Sequence, residues 1–219
     1  VLCAEMVKAF AQSGARVAAL DLNEDAVRRL ADELKNEGLE CTGYKANVLD
    51  TETLEEVHKS VLAKYGPCDI LINGAGGNNP KATTDNEYQH EARPGQKTFF
   101  ELDAAGVDFV FRLNFQGSLI PAQVFAKDMV ERQSGNILNI SSMNAYTPLT
   151  KIPAYSGAKA AITPTPRSGK ILNGTPAGRF VDSSELLGGV LFLCDDRAAS
   201  AITGVVLPID AGFAAYSGV

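Results

Sequence analysis

Between Arg16 and Ile72 short apolar runs alternate with amphipathic segments, and few folds accommodate such an alternation. Arg16-Val17-Ala18-Ala19-Leu20-Asp21 is apolar and closed by an acid, as a buried parallel strand would be. Asn23 can cap a helix whose Val27, Leu30, Ala31 and Leu34 share one face, and Gly38 follows its end. A strand around Cys41 to Tyr44 comes next. Asp50 or Thr51 then caps a helix with Leu54, Val57, Val61 and Tyr65 inward, which Gly66-Pro67 ends before the buried run Asp69-Ile70-Leu71-Ile72. Upstream, Leu2, Met6 and Phe10 mark a helix that stops at Ser13-Gly14. The pattern predicts an α/β fold with a doubly wound parallel sheet.

The second half keeps the alternation with interruptions. A polar stretch from Asn78 to Gln96 is longer than ordinary connections, and a long helix is expected from about Asp103 to Arg132. The strand Asn136 to Ile140 leads to a helix opening near Ala154. Asp182 and Glu185 have capping-box spacing before Leu186, Leu187, Val190 and Leu191, and Thr203 to Ile209 is expected as a last strand. Two places break the pattern. The chain starts on a helix with no strand before it, and Ala160-Ala161-Ile162 runs into Thr163-Pro164-Thr165-Pro166 when a helix has barely begun. The expectation is a single domain over 1–219 that lacks its first strand and joins segments of a longer natural chain, with a break near 163 and a substrate lid over 164–180.

Composition narrows the function classes. With 219 residues, 45% of them hydrophobic, the chain can bury one sizeable core and is too short for two typical domains. No apolar run reaches the roughly 18 residues of a membrane helix, and the start does not resemble a secretory signal. A net charge of −6 without a long basic run argues against nucleic acid as a partner. Cys3, Cys41, Cys68 and Cys194 are far apart, with no metal-ligand spacing, so a reduced cytoplasmic protein without a metal is expected. His58, on a charged helical segment, reads as a solvated surface side chain.

The chemistry concentrates around Tyr155-Ser156-Gly157-Ala158-Lys159, which stacks a phenol and an ammonium at i and i+4 on one helical face. A free phenol titrates near pH ~10, so acid or base work near neutrality needs a cation beside it. Lys159 can supply that field. Ser141-Ser142 ends the strand before this helix, at the edge where doubly wound sheets bind ligands. Asn73-Gly74-Ala75-Gly76 follows another strand, and Asn114-Phe115-Gln116-Gly117 lies in the long helix. In this order the motifs resemble those of the short-chain dehydrogenase/reductase family, over nearly the whole chain.

The resemblance implies roles residue by residue. Tyr155 would donate or accept the hydroxyl proton, while Lys159 lowers its pKa and holds the nicotinamide ribose. Ser142, with Ser141 as the alternate, would hydrogen-bond the reacting oxygen. Asn114 would hold a water in the proton relay; a helix-kink asparagine satisfying backbone groups fits the same position. Asp21, ending its strand, can accept from both adenosine ribose hydroxyls and repel a 2′-phosphate, which favours NAD over NADP; a turn role before Asn23 is the alternative. Asn47-Val48 stands where the family usually has Asp-Val beside the adenine, and Asn73, Ala75 and Gly76 would line the cofactor cleft. The family's glycine-rich turn would precede Val1, and the Pro-Gly segment after the active-site region does not occur near 163.

Lys81, His90 and Arg93 in the polar stretch, and the cation at Pro176 to Arg179, could bind a carboxylate or sugar hydroxyls. With Ser141-Ser142-Met143-Asn144-Ala145-Tyr146 they resemble sugar-acid oxidoreductases of the D-mannonate (fructuronate) type. A gluconate, sugar-alcohol or 3-oxoacyl reductase on the same scaffold is the alternative, and a non-catalytic nucleotide-binding protein is the reading from another class. Phe109, Val110, Phe111, Leu113 and Phe125 give the long helix apolar residues on more than one face, which a subunit interface would explain; the resemblance implies a homotetramer or homodimer.

Overall fold

The computed structural model describes residues 2–146, 148–163, 177, 179 and 181–212. One compact unit holds Val1–Asn73, Ile120–Leu138 and Val181–Val205; the other holds Gly74–Leu119, Asn139–Phe180 and Val206–Val219.

In the first unit, α1 (Leu2–Gln12) buries Met6 and Ala11 and ends before Gly14, whose φ of 86° a side-chain-bearing residue would resist. β1 (Val17–Asp21) pairs in parallel with β2 (Cys41–Lys45), Val17 opposite Cys41 and Asp21 opposite Lys45. Between them runs α2 (Glu24–Asn36), started by the Asn23 side chain accepting from Ala26 N at 3.1 Å. A Cβ on Gly43 would stand 2.6 Å from the Val27 carbonyl oxygen, so β2 can lie this close to α2 only with glycine there. Ala11, Ala19, Val27, Ala31, Leu34 and Cys41 form the resulting core.

A second core gathers Ala46, Leu54, Val57, Val61, Val124 and Phe125. It joins α3 (Thr51–Tyr65), capped by Asp50, to α5 (Gly117–Arg132). β3 (Ile70–Asn73) pairs with β4 (Asn136–Asn139). Arg132 fastens this pair's edge to α5, its guanidinium 2.7 Å from Asp69 and 2.6 Å from the Cys68 carbonyl. Among the described residues the strands form two pairs rather than one continuous ladder.

Two expectations need correction here. His58 is not solvated: its side chain is 17% exposed, its ring meets Phe125 edge-on, and Nε2 lies 2.8 Å from Asp128 Oδ2. That carboxylate also accepts from Cys68 N at 3.2 Å. Burial alone would raise the Asp128 pKa, but the His58 hydrogen bond, with the Cys68 amide and the His58 and Arg132 charges, outweighs it and holds the carboxyl below its ordinary value. The His58 position looked exposed because its helix neighbours are charged; the buried acid one helix away was invisible in sequence. The last strand expected over Thr203 to Ile209 does not form either. Gly204 has φ 65°, Pro208 offers no N–H, and Val205 and Leu207 remain 55% and 47% exposed, so the apolar alternation has no ladder to join.

The second unit is built from helical turns. Short 3₁₀ turns Pro80–Ala82 and Gln89–Glu91 order the polar stretch, and a third, Phe99–Glu101, held by a Thr98–Glu101 capping box, follows it. α4 (Ala104–Phe111), capped by Asp103, leads to a π-helical turn at Arg112–Gln116 rather than continuing as one regular helix into α5. α6 (Pro153–Ala160) packs Ala154, Tyr155 and Ala158 against Ala82, Val107 and Val110. α7 (Leu187–Leu193) and α8 (Asp196–Ala199) return the chain to the first unit. The lid expected at 164–180 lies outside the described residues except at 177 and 179. No helix among the described residues is long and apolar enough to cross a membrane.

Candidate active site

Asn114 is fully buried in the π-helical turn, where the widened helix lets its side chain reach out of the ladder. Its Nδ2 donates to the Gly77 and Val110 carbonyls, each at 2.8 Å, and its Oδ1 accepts from Gly77 N at 3.1 Å. Both amide protons are thus committed to backbone. The kink reading of this asparagine describes these contacts. A Cβ on Gly76 would lie 2.7 Å from Asn114 Oδ1 and 3.1 Å from Lys159 Nζ. Gly76, Asn114 and Lys159, far apart in sequence, therefore meet at one point that only glycine leaves open.

Lys159, 5% exposed on α6, donates from Nζ to the Ile140 carbonyl at 2.8 Å. The same Nζ stands 5.9 Å from the centroid of the Tyr155 ring, as the i, i+4 spacing requires. The Lys159 ammonium is thus fixed, buried, on the same side of α6 as the phenol ring. The two serines separate. Ser141 Oγ donates to the Lys159 carbonyl at 3.3 Å and is bonded to Thr163 Oγ1, so it ties the end of β4 to α6. Ser142 Oγ accepts from Asn144 N at 3.2 Å, which leaves its own O–H free to donate to a ligand.

Asn114, Ser142, Tyr155, Lys159, Ala75 and Gly76 belong to the second unit; Asp21, Asn47, Val48 and Asn73 belong to the first. Asp21 ends β1 on the surface, with Oδ1 accepting from Asn23 N at 2.8 Å, the turn role. Asn47 Oδ1 accepts from Leu49 N at 3.0 Å, Val48 is half-buried, and Asn73 is buried at the end of β3. In the polar stretch Lys81 lies 4.0 Å from Asp103, His90 stacks on Tyr88, and the Arg93 backbone is held by Gln96. The backbone of Ile140 and Gly77, which hold Lys159 and Asn114, escaped the sequence reading because main-chain acceptors leave no residue-type signal.

Residues 2–168 match the family model for short chain dehydrogenases. An uncharacterized oxidoreductase of Haemophilus influenzae is 48% identical over 260 residues, covering 100% of this chain and 91% of the relative. UxuB of Bacillus subtilis, another uncharacterized oxidoreductase, is 38% identical and covers 100% of this chain and 93% of its own length. A crystal structure of a Haemophilus influenzae protein proposed to be a D-mannonate oxidoreductase, with bound NAD, superposes with a TM-score of 0.94 at 48% identity, covering 100% of this chain and 93% of that one. With its α/β fold and the Gly76, Asn114, Ser142, Tyr155 and Lys159 constellation, this chain belongs to the short-chain dehydrogenase family.

Proposed function

We propose that this protein is an NAD(H)-dependent oxidoreductase that interconverts a secondary alcohol and a ketone on a sugar acid of the D-mannonate/fructuronate type. The observation that carries the reading is the buried Lys159 ammonium fixed by Ile140 and set beside the Tyr155 ring, with the Ser142 hydroxyl free to donate in the same unit. Ser142 holds the reacting oxygen, and Tyr155 gives or takes the hydroxyl proton at its phenolic oxygen, so no alkoxide has to persist. Lys159 sets its ammonium beside the Tyr155 ring, and Asn114 keeps Gly77 and the π-turn in place around it.

NAD, when bound, supplies or accepts the hydride. The residues present fit it: Gly76 leaves open a space a Cβ would fill, and the second carboxylate oxygen of Asp21 makes no hydrogen bond among the described residues, an acceptor suited to ribose hydroxyls and hostile to a 2′-phosphate. The NAD in the Haemophilus influenzae structure, and the activity proposed for that protein, support the same cofactor and substrate. Phe109, Phe111, Phe115 and Leu119 are each 40–44% exposed, which supports a homo-oligomer, dimer or tetramer. Coverage of 100% of this chain and 91% of the Haemophilus influenzae relative supports a single domain, which we read as carrying a chain break near 163.

The test is NADH-dependent reduction of fructuronate beside unrelated ketones and NADPH, in the wild type and in Tyr155→Phe. The expected result is preferential turnover of fructuronate with NADH and a fall in kcat of about 10²–10⁴-fold in Tyr155→Phe with NADH binding retained. Turnover of fructuronate no faster than of unrelated ketones removes the substrate; unchanged kcat in the variant removes the role of Tyr155.

A further inference from the structure

Two buried side-chain oxygens lack any hydrogen-bond partner among the described residues, Asn144 Oδ1 and Ser156 Oγ. Ser156 carries a hydroxyl that can rotate. Asn144 presents a carbonyl that can only accept, and the residue is 5% exposed. Buried acceptors are almost always satisfied, so one left open calls for a donor that arrives from outside the chain. Its location says which. Asn144 lies in the 3₁₀ turn Met143–Ala145, and its backbone N–H is the group that holds Ser142 Oγ, at 3.2 Å. The unpaired acceptor and the hydroxyl that addresses the reacting oxygen are thus carried by one 3₁₀ turn and its N-cap, two residues apart.

We propose that Asn144 Oδ1 accepts a hydrogen bond from a substrate hydroxyl on the carbon next to the reacting one, so that the site selects α-hydroxy ketones and vicinal diols over simple ketones and alcohols. The inference rests on the oxidoreductase reading above and adds to it the residue that recognises polyhydroxylated substrates. An acceptor without a donor rejects a ligand that lacks the hydroxyl, since the carbonyl would then be sealed off unpaired. Asn114 makes the contrast: its amide is bonded three times to its own backbone and has no donor left for a ligand.

The experiment compares fructuronate, or whichever hydroxy ketone the enzyme reduces fastest, with its analogue in which hydrogen replaces the hydroxyl beside the carbonyl. The readout is the ratio of kcat/KM for the two, in the wild type, Asn144→Ala, Asn144→Leu and Asn144→Asp, with Tm measured alongside. The wild type is expected to prefer the hydroxy ketone by about 100-fold or more. Asn144→Ala and Asn144→Leu should bring that preference down at least about tenfold, whereas Asn144→Asp, which keeps an acceptor, should hold it better than either. Asn144→Leu fills the space without a polar atom, so its Tm should equal or exceed that of the wild type and keeps the test valid if the alanine variant fails to fold. An unchanged ratio in Asn144→Leu overturns the inference, as does a lower Tm with both substrates slowed alike, the mark of a carbonyl that serves only the fold. Failure of the wild type to reduce any hydroxy ketone removes the oxidoreductase reading itself, and this inference with it.

Discussion

Two turns of the second unit each bury an asparagine, and they do so to opposite ends. At the π-turn the Asn114 amide is spent on Gly77 and Val110, with no exposed surface at all. At the 3₁₀ turn after β4, Asn144 is almost as deeply buried and leaves its carbonyl unmet. The first arrangement stabilises the chain; the second is tolerated at a cost, which is the signature of a group kept for something else. Burial of a polar side chain therefore does not announce its role. Whether the chain itself satisfies it does.

The comparison is sharpest at Asn114. Asn114→Ala removes three hydrogen bonds and leaves the Gly77 N–H and the Gly77 and Val110 carbonyls to find other partners. A loss of about 3 kcal/mol in urea unfolding is expected. A loss under about 0.5 kcal/mol would put Asn114 in the same class as Asn144 and erase the distinction. Gly76→Ala tests the same knot from the other side, since its Cβ would stand 2.7 Å from Asn114 Oδ1, the fixed carbonyl of a fully bonded amide. We expect a destabilisation of about 1–3 kcal/mol together with a lower kcat, because Lys159 Nζ is the next atom displaced. Full activity in this variant would mean that the Asn114 and Lys159 positions tolerate movement.

Asp128 offers a third case, a buried carboxylate satisfied by His58 and the Cys68 amide. Its folded pKa lies below the ordinary carboxylate value, so the stability it contributes is present above an unfolded pKa of about 3.9 and is lost as pH falls through the lower folded value. Asp128→Asn is expected to lower stability at neutral pH by about 1–2 kcal/mol and to flatten the acid limb of the stability curve below pH ~4. An acid limb identical to the wild type's would show that the carboxylate is not held in its ionised form by the fold. Cys68 nearby is driven the other way: burial first, then the Asp128 and Asp69 charges, push its thiol up to about 11, so it stays protonated and unreactive across this range.

Much of the first unit was legible from residue order. Asn23 and Asp50 cap the helices they were expected to cap, Gly14, Gly38 and Gly66 stand at positive φ where helices end, and Val27, Ala31, Leu34, Leu54, Val57 and Val61 fill the cores. These signals are local, since capping, helix-end glycines and apolar faces depend on neighbours a few residues away. The same logic failed at Thr203 to Ile209, where a strand's existence depends on a partner that local pattern does not supply. It failed too at His58, whose surroundings are set by Asp128 on another helix.

The site divides in the same way. Residue order carried the Tyr155 and Lys159 spacing, the placement of Ser141 and Ser142 just after β4, and the family to which these motifs point. Long-range packing is what commits Ser141 to Lys159 and Thr163 while Ser142 keeps a hydrogen to give, and what brings Gly76 against Asn114 and Lys159. It alone separated the satisfied Asn114 from the open Asn144. The reason is physical: periodicity and capping record which way a residue faces along its own element, whereas the fate of a hydrogen bond depends on which distant backbone groups the fold brings within about 3 Å.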